Sequence, residues 1–235
     1  SEFMEYLFLP DHTDVMPIEY SLWFGQSATA QHLFSMPEVI AKYQNDENLL
    51  FRLTFFLFVR CGVYHIIDFV LDKLDDAASK VGRALSYKSY PAPTRRFDRD
   101  HATDFHRIAI MHRIAYDVNG KVSSLKKLKE IVGAKAFVDG VFVEDYWDEN
   151  ALQNVIETKK VDMMQYMLTI PELREVCLKH DELYTIVSSL NRHYHEEMVK
   201  AVVKGLNLTE KKLSTLKQTY ANVQLASILK HVQKD

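Results

Sequence analysis

Glycine and proline are scarce in this chain, seven and six among 235 residues, which is about half the usual usage of each. Sandwiches and barrels need many turns with special backbone angles, so the shortage argues against them and for helices with few breakers. Cysteine is nearly absent too. Cys61 and Cys177 stand 116 positions apart and form no disulfide framework, so a reducing compartment, and with it a cytoplasmic location, is the expectation. No apolar run approaches the roughly 20 residues of a membrane span, since Leu53 to Val59 is bracketed by Arg52 and Arg60. The first Lys or Arg is Lys42, after six acidic residues between Glu2 and Glu38, unlike a signal or transit peptide. A Gly-rich phosphate loop, Gly-x-Ser-x-Gly and Cys-x-x-Cys are all missing, so catalysis has no visible apparatus. The charge, 29 Lys+Arg against 32 Asp+Glu, leaves no dominant basic footprint for nucleic acid. Ser1-Glu2-Phe3 ahead of Met4 resembles an expression-vector scar and is left out of fold reasoning.

What is present is an apolar fraction of 47% against 26% charged residues, enough for one large domain or two small ones at roughly 100 to 200 residues each. An internal repeat stands out. Met36-Pro37-Glu38-Val39 and Ile170-Pro171-Glu172-Leu173 lie 134 positions apart, Leu49 and Leu183 follow at the same offset, and Ala30-Leu33-Phe34 mirrors Met164-Met167-Leu168. Four units of some 33 residues account for that offset. Each unit reads as two short helices, the second carrying an i, i+1, i+4, i+5 stripe such as Ile66, Ile67, Val70, Leu71 or Met163, Met164, Met167, Leu168. The pairs fall at about 18–36, 48–74, 106–134, 150–170, 183–206 and 209–233. Gly25, Gly62 and Gly120 fall between helices, and Gly133 and Gly205 at the ends of second helices, where positive φ is useful. Ile66, Val70, Ile114, Leu128, Leu152, Met164, Leu168, Val199 and Val203 are the expected interior, with Leu213, Leu216, Leu225, Ile228 and Leu229 in the last unit. Residues 75–105 interrupt the period, and Pro91 and Pro93 forbid a continuous helix there. Asp139-Gly140 between β-formers predicts a hairpin turn.

These residues resemble the ankyrin repeats. Met111-His112-Arg113-Ile114-Ala115 is similar to the Leu-His-x-Ala-Ala segment, and Ile131-Val132-Gly133-Ala134 to the end of a second helix. Asn150 to Ile156, then Lys159-Lys160 and Met163-Met164 to Leu168, follow the frame without a gap, although no Thr-Pro-Leu-His is intact. The resemblance implies an all-α, ankyrin-like solenoid of about six helix pairs over residues 4–235, with short β-hairpin-type loops and one long insertion. It also implies a monomeric, non-enzymatic module with no cofactor that binds another protein through its concave face. Carried over by position, the first-helix contact residues are Arg113, Tyr116, Asp117, Asn154, Glu157, Thr158 and Arg192, and the finger residues are Asp139, Phe142, Tyr146 and Trp147. Aromatics and Arg supply most hot spots, so Tyr146 and Trp147 lead. Degenerate repeats of this kind also occur in secreted bacterial effectors acting in a host cytosol.

The alternative is a helical metal-dependent hydrolase. Asp98, Asp100, His101, Asp104, His106 and His112 are ligand types for zinc or iron, but His101 and His106 lie about 140° apart on a helix and share no face. His180-Asp181 resembles the dipeptide of HD-type phosphohydrolases, yet the repeat sets Asp181 opposite Asp46, an expected N-cap. His193 and His195 read as hydrogen-bonding turn residues. Arg95, Arg96 and Arg99 among Tyr87, Tyr90 and Phe97 could face a nucleic-acid strand, but Asp98, Asp100 and Asp104 cancel the charge. Lys200, Lys204, Lys211, Lys212 and Lys217 read as a solvated face. Cys61 and Cys177 read as small buried hydrophobes.

Overall fold

Short apolar stripes separated by one or two turn residues call for short helices, and that is what the chain forms. The computed structural model describes residues 2–61, 63–86, 110–116, 121–145, 148–220 and 224–232, and among them every element is helical. The chain divides into two compact units, Ser1–Trp147 and Asp148–Asp235.

The first unit holds α1 (Glu2–Leu7), α2 (Pro17–Trp23), α3 (Ser27–Leu33), α4 (Pro37–Asn45) and α5 (Glu47–Phe55). The last of these runs into a π-helical segment, Phe56–Cys61. Then follow α6 (Tyr64–Leu71), α7 (Ala77–Leu85), α8 (Ile110–Tyr116) and α9 (Val122–Val141). The second unit holds α10 (Ala151–Glu157), α11 (Val161–Met167), α12 (Pro171–Cys177), α13 (His180–Arg192), α14 (Glu196–Leu206), α15 (Glu210–Thr219) and α16 (Ala226–Leu229).

The 134-residue repeat is visible bond by bond. Asp14 and Asp148 precede the first helix of each copy with φ of 58° and 57°. The carboxylate of Glu19 accepts the Met16 N–H at 2.8 Å, as the amide oxygen of Gln153 accepts that of Asn150 at 2.8 Å. Between the first two helices Gly25 and Lys159 take φ of 61° and 57°. Around them the Gln26 N–H reaches the Ser21 carbonyl at 2.9 Å, and that of Lys160 reaches Val155 at 3.1 Å. This is the Schellman closure of a helix C-terminus. Packing repeats as well: α2 lies on the π-segment as α10 lies on α13, α3 on α6 as α11 on α14, and α5 on α7 as α13 on α15.

The offset shrinks along the copies, from 134 at Pro37 and Pro171, to 133 where α5 and α13 begin, to 132 where α6 and α14 begin. One extra residue therefore lies between the starts of α5 and α6. A π-turn, with its i to i+5 bonds, is the way a helix absorbs a single added residue without breaking.

The expected interior residues of the second to fifth pairs are all buried, from Ile66 and Ile114 at 0% exposure to Val203 at 7%. So are Leu213, Leu216, Leu225 and Ile228, whereas Leu229 is exposed at 37%. Three expectations need correction. Asp139 and Gly140 do not form a hairpin turn but lie in the last turns of α9. Phe137, Val138 and Val141 make a buried helical face there, and a Cβ on Gly140 would come within 3.1 Å of the Leu85 Cβ, so this glycine admits α7 rather than bending the chain. Gly205 sits inside α14, and the left-handed residue that ends the helix is Asn207, φ 50°. Within residues 75–105, Ala77–Leu85 is helix α7; positions 87–105 lie outside the described residues. Gly133 has φ 77° and kinks α9, in keeping with a second helix that ends there.

Candidate functional site

In the first unit, α2, the π-segment and α8 lie in a row, the π-segment packing on both neighbours. Each buries most of its surface and presents few side chains outward. On α2, Ile18, Glu19, Ser21 and Leu22 are buried, which leaves Pro17, Tyr20 and Trp23 half-exposed at i, i+3, i+6 and Phe24 beyond the helix end 64% exposed. In the π-segment Phe56 to Val59 and Cys61 are buried, so Arg60 alone faces out. On α8, Ile110, Met111, His112, Ile114 and Ala115 are buried and only Arg113 and Tyr116 are partly exposed.

The side chains at the α2 end stack on one another. The rings of Tyr20, Trp23 and Phe24 have centroids 5.7–6.0 Å apart and planes within 13° of one another. The guanidinium of Arg60 lies over the Trp23 ring, 5.1 Å from its centroid, and the Phe56 ring lies 6.2 Å from that indole at a tilt of 44°. Tyr20 is fixed in turn: its hydroxyl donates to Asp11 Oδ2 at 2.7 Å, while Asp11 Oδ1 accepts from the Thr13 N–H and hydroxyl at 2.8 and 2.7 Å. The bonds from Thr13 and Tyr20 hold the Asp11 carboxyl well below the usual carboxylate range.

Beneath this surface α2 is tied to α5 by a buried ion pair. Arg52 reaches Glu19 through Nε at 2.7 Å and Nη2 at 2.6 Å, and Asp14 through Nη1 at 3.1 Å. Burial pushes the Glu19 carboxyl up, against the pull of Arg52. The Tyr43 hydroxyl is wholly buried and makes no hydrogen bond. The second copy lacks this pair: Gln153 stands where Glu19 does, and the buried residues of α13 are Leu183, Ile186, Val187, Ser189 and Leu190.

Of the residues expected at the site, Arg113 and Tyr116 fall on the row, half-buried. Glu157 and Thr158 are half-buried at the end of α10, and Arg192 is exposed, 3.0 Å from Glu149. Asp117, Tyr146 and Trp147 lie outside the described residues. Asp139 is exposed and paired with Lys135 at 2.6 Å, and Phe142 closes α9, both on helix rather than on a finger. Asn154 is fully buried and leaves the surface set. Tyr20, Trp23, Phe24 and Arg60 were not expected, although three of them were within reach: moving Asn154, Glu157 and Thr158 back by 134 lands on Tyr20, Trp23 and Phe24.

The other candidates resolve differently. Asp98, Asp100, His101, Asp104, His106 and the Arg95–Arg99 stretch lie outside the described residues. His112 is fully buried with its Nε2 2.6 Å from the Val143 carbonyl oxygen. Asp181 does not cap α13, whose N-cap is Lys179, but accepts the hydroxyl of Tyr220. His180 sits with its ring 6.2 Å from that tyrosine. Asp46 does cap α5, accepting from the Asn48 and Leu49 N–H groups at 2.9 and 3.1 Å. Cys61 and Cys177 are buried, and burial pushes the Cys177 thiol up to about 12. Among the described residues no group of three or more His, Cys, Asp or Glu is placed to hold a metal ion, and no helix is long and apolar enough to cross a membrane. No family model, no curated protein and no solved structure matches this chain.

Proposed function

We propose that the chain is a divergent ankyrin-like, non-enzymatic module that binds another protein through the outward side of α2, the π-segment and α8. The observation that carries this is the composition of that side: Tyr20, Trp23, Phe24, Arg60, Arg113 and Tyr116 are aromatic or arginine, the residue types that dominate binding hot spots. The packing supports the ankyrin-like reading, because α2 lies on the π-segment and α3 on α6, as α10 lies on α13 and α11 on α14, the first-on-first and second-on-second contacts of stacked repeats. Rings already held in place by Asp11 and Phe56 lose little freedom on docking. The module acts as a monomer in a cytosol, a host's included if it is a secreted effector, and uses no cofactor.

A pulldown from cell lysate, repeated with Phe24→Ala, Arg60→Ala and Trp147→Ala, tests the face. Loss of a partner in the first two supports it, loss only in the third moves the site to the segment after α9, and partners unchanged in all three overturn it. The hydrolase alternative is tested by elemental analysis. Stoichiometric zinc, iron or manganese that survives dialysis and is lost in His101→Ala or His106→Ala overturns the non-enzymatic reading.

A further inference from the structure

The 134-residue repeat extends back through α1. That helix ends at Leu7 as α9 ends at Val141, and both residues are buried. Just past the two ends the Leu9 N–H reaches the Tyr6 carbonyl at 3.2 Å, and the Val143 N–H reaches that of Gly140 at 3.4 Å. Asp11 and Asp145 then follow at the same offset. The surroundings of the two stretches differ. In the later copy α7 and α8 cover this side: a Cβ on Gly140 would meet the Leu85 Cβ at 3.1 Å and the Met111 Cγ at 3.5 Å, and His112 Nε2 lies 2.6 Å from the Val143 carbonyl oxygen. In the earlier copy Tyr6 and Leu9 stand in the places of Gly140 and Val143 and are 64% and 63% exposed. Phe3, exposed as well, belongs to the scar-like leader and is left out. We infer that this side of α1 is a second interaction surface, separate from the row on α2, and that its occupant is an apolar helix of a partner protein with alanine or glycine opposite Tyr6. A helix suits the place because helices fill it in the later copy, and stacked repeats reuse one interface from unit to unit. The small residue follows from size. Between α7 and α9 the large side chain is Leu85 and the gap is at Gly140; on α1 the large side chain is Tyr6, so the gap belongs on the incoming helix, where the phenol ring enters it as a ridge enters a groove. A second copy of this chain does not supply such a helix. Its α15, which lies on α13 as α7 lies on α5, buries Leu213 and Leu216 and turns Lys211, Lys212 and Lys217 outward.

The test selects a phage-displayed library of helical peptides, randomised on one face, against the immobilised full chain. The selected peptides are then measured against the wild type, Tyr6→Ala, Leu9→Ala and Phe24→Ala. All three side chains are exposed, so their truncation leaves the fold intact, which circular dichroism checks. The expected result is an apolar i, i+3, i+7 stripe with alanine or glycine at one fixed position. Affinity for those peptides falls at least about tenfold in Tyr6→Ala and in Leu9→Ala, stays unchanged in Phe24→Ala, and light scattering finds the wild type monomeric. A library with no enrichment overturns the inference, as do selected peptides held equally by Tyr6→Ala and Leu9→Ala. Peptides lost in Phe24→Ala, or bulky at every apolar position, overturn it too. So does a wild-type dimer that Leu9→Ala dissolves, because a second copy then covers the face.

Discussion

Lys159 and Gly205 show how a single position carries the fold. Lys159 holds the left-handed conformation, φ 57°, that glycine holds at the matching turn of the first copy. A side chain there costs roughly 1–2 kcal/mol, while glycine gives back about 0.5–1 kcal/mol through the unfolded chain. Lys159→Gly is accordingly expected to raise stability by about 0.5–1 kcal/mol in urea denaturation. Gly205 is the opposite case. A Cβ on it would lie 2.6 Å from Leu168 Cδ1 and 2.9 Å from its Cβ, so Gly205→Ala forces α11 and α14 apart. The expected net loss is about 1–2 kcal/mol despite alanine's better helix propensity. The turn at Gly25 could be read from its glycine, but the equivalent turn at Lys159 could not, because lysine carries no signal of positive φ. The same ambiguity misled at Gly140, where Asp-Gly suggested a turn and close packing against Leu85 is the actual reason for the glycine.

Among the elements, α2 and α5 are joined by the Arg52–Glu19 pair that the second copy does without. Removing one partner of a buried pair leaves an uncompensated charge, so Arg52→Met is expected to cost about 3–5 kcal/mol. Combined with Glu19→Gln, which installs the amide found at Gln153, most of that loss is expected to return. Chemical denaturation of the two single variants and the double variant closes the cycle, and an additive double variant would mean the pair is not the tie. Pair positions and buried stripes were legible because helical spacing is a local property. The π-segment was not, since one extra residue within a continuous apolar run, Phe55 to Val59, leaves the periodicity of a wholly buried helix unchanged. Nor was the place of Arg60 beside Trp23, since it comes from an element more than thirty positions after α2.

Across the whole molecule, two copies of one frame have been given different exteriors. Where copy one presents Trp23 and Phe24, copy two has Glu157 and Thr158 in the same bonded geometry. The frame therefore tolerates the second set, and Trp23→Glu with Phe24→Thr is expected to keep the helical circular dichroism and thermal midpoint within a few degrees. Capture of any partner held by this face should be abolished. A collapsed midpoint would mean that the rings belong to the core of the first unit rather than to its surface.

The placement of Arg60 over Trp23 has an optical consequence. The chain has two tryptophans, Trp23 and Trp147, so Trp147→Phe leaves one indole, stacked under a cation and flanked by the phenol of Tyr20 at 5.9 Å. Excitation of that tyrosine will pass to the indole, and the emission maximum will report the polarity above the ring. Titrating a ligand onto this face should move the emission to shorter wavelength as water leaves the indole, giving a label-free isotherm from the unmodified side of the protein. An emission band that stays fixed while a ligand saturates would place that ligand elsewhere.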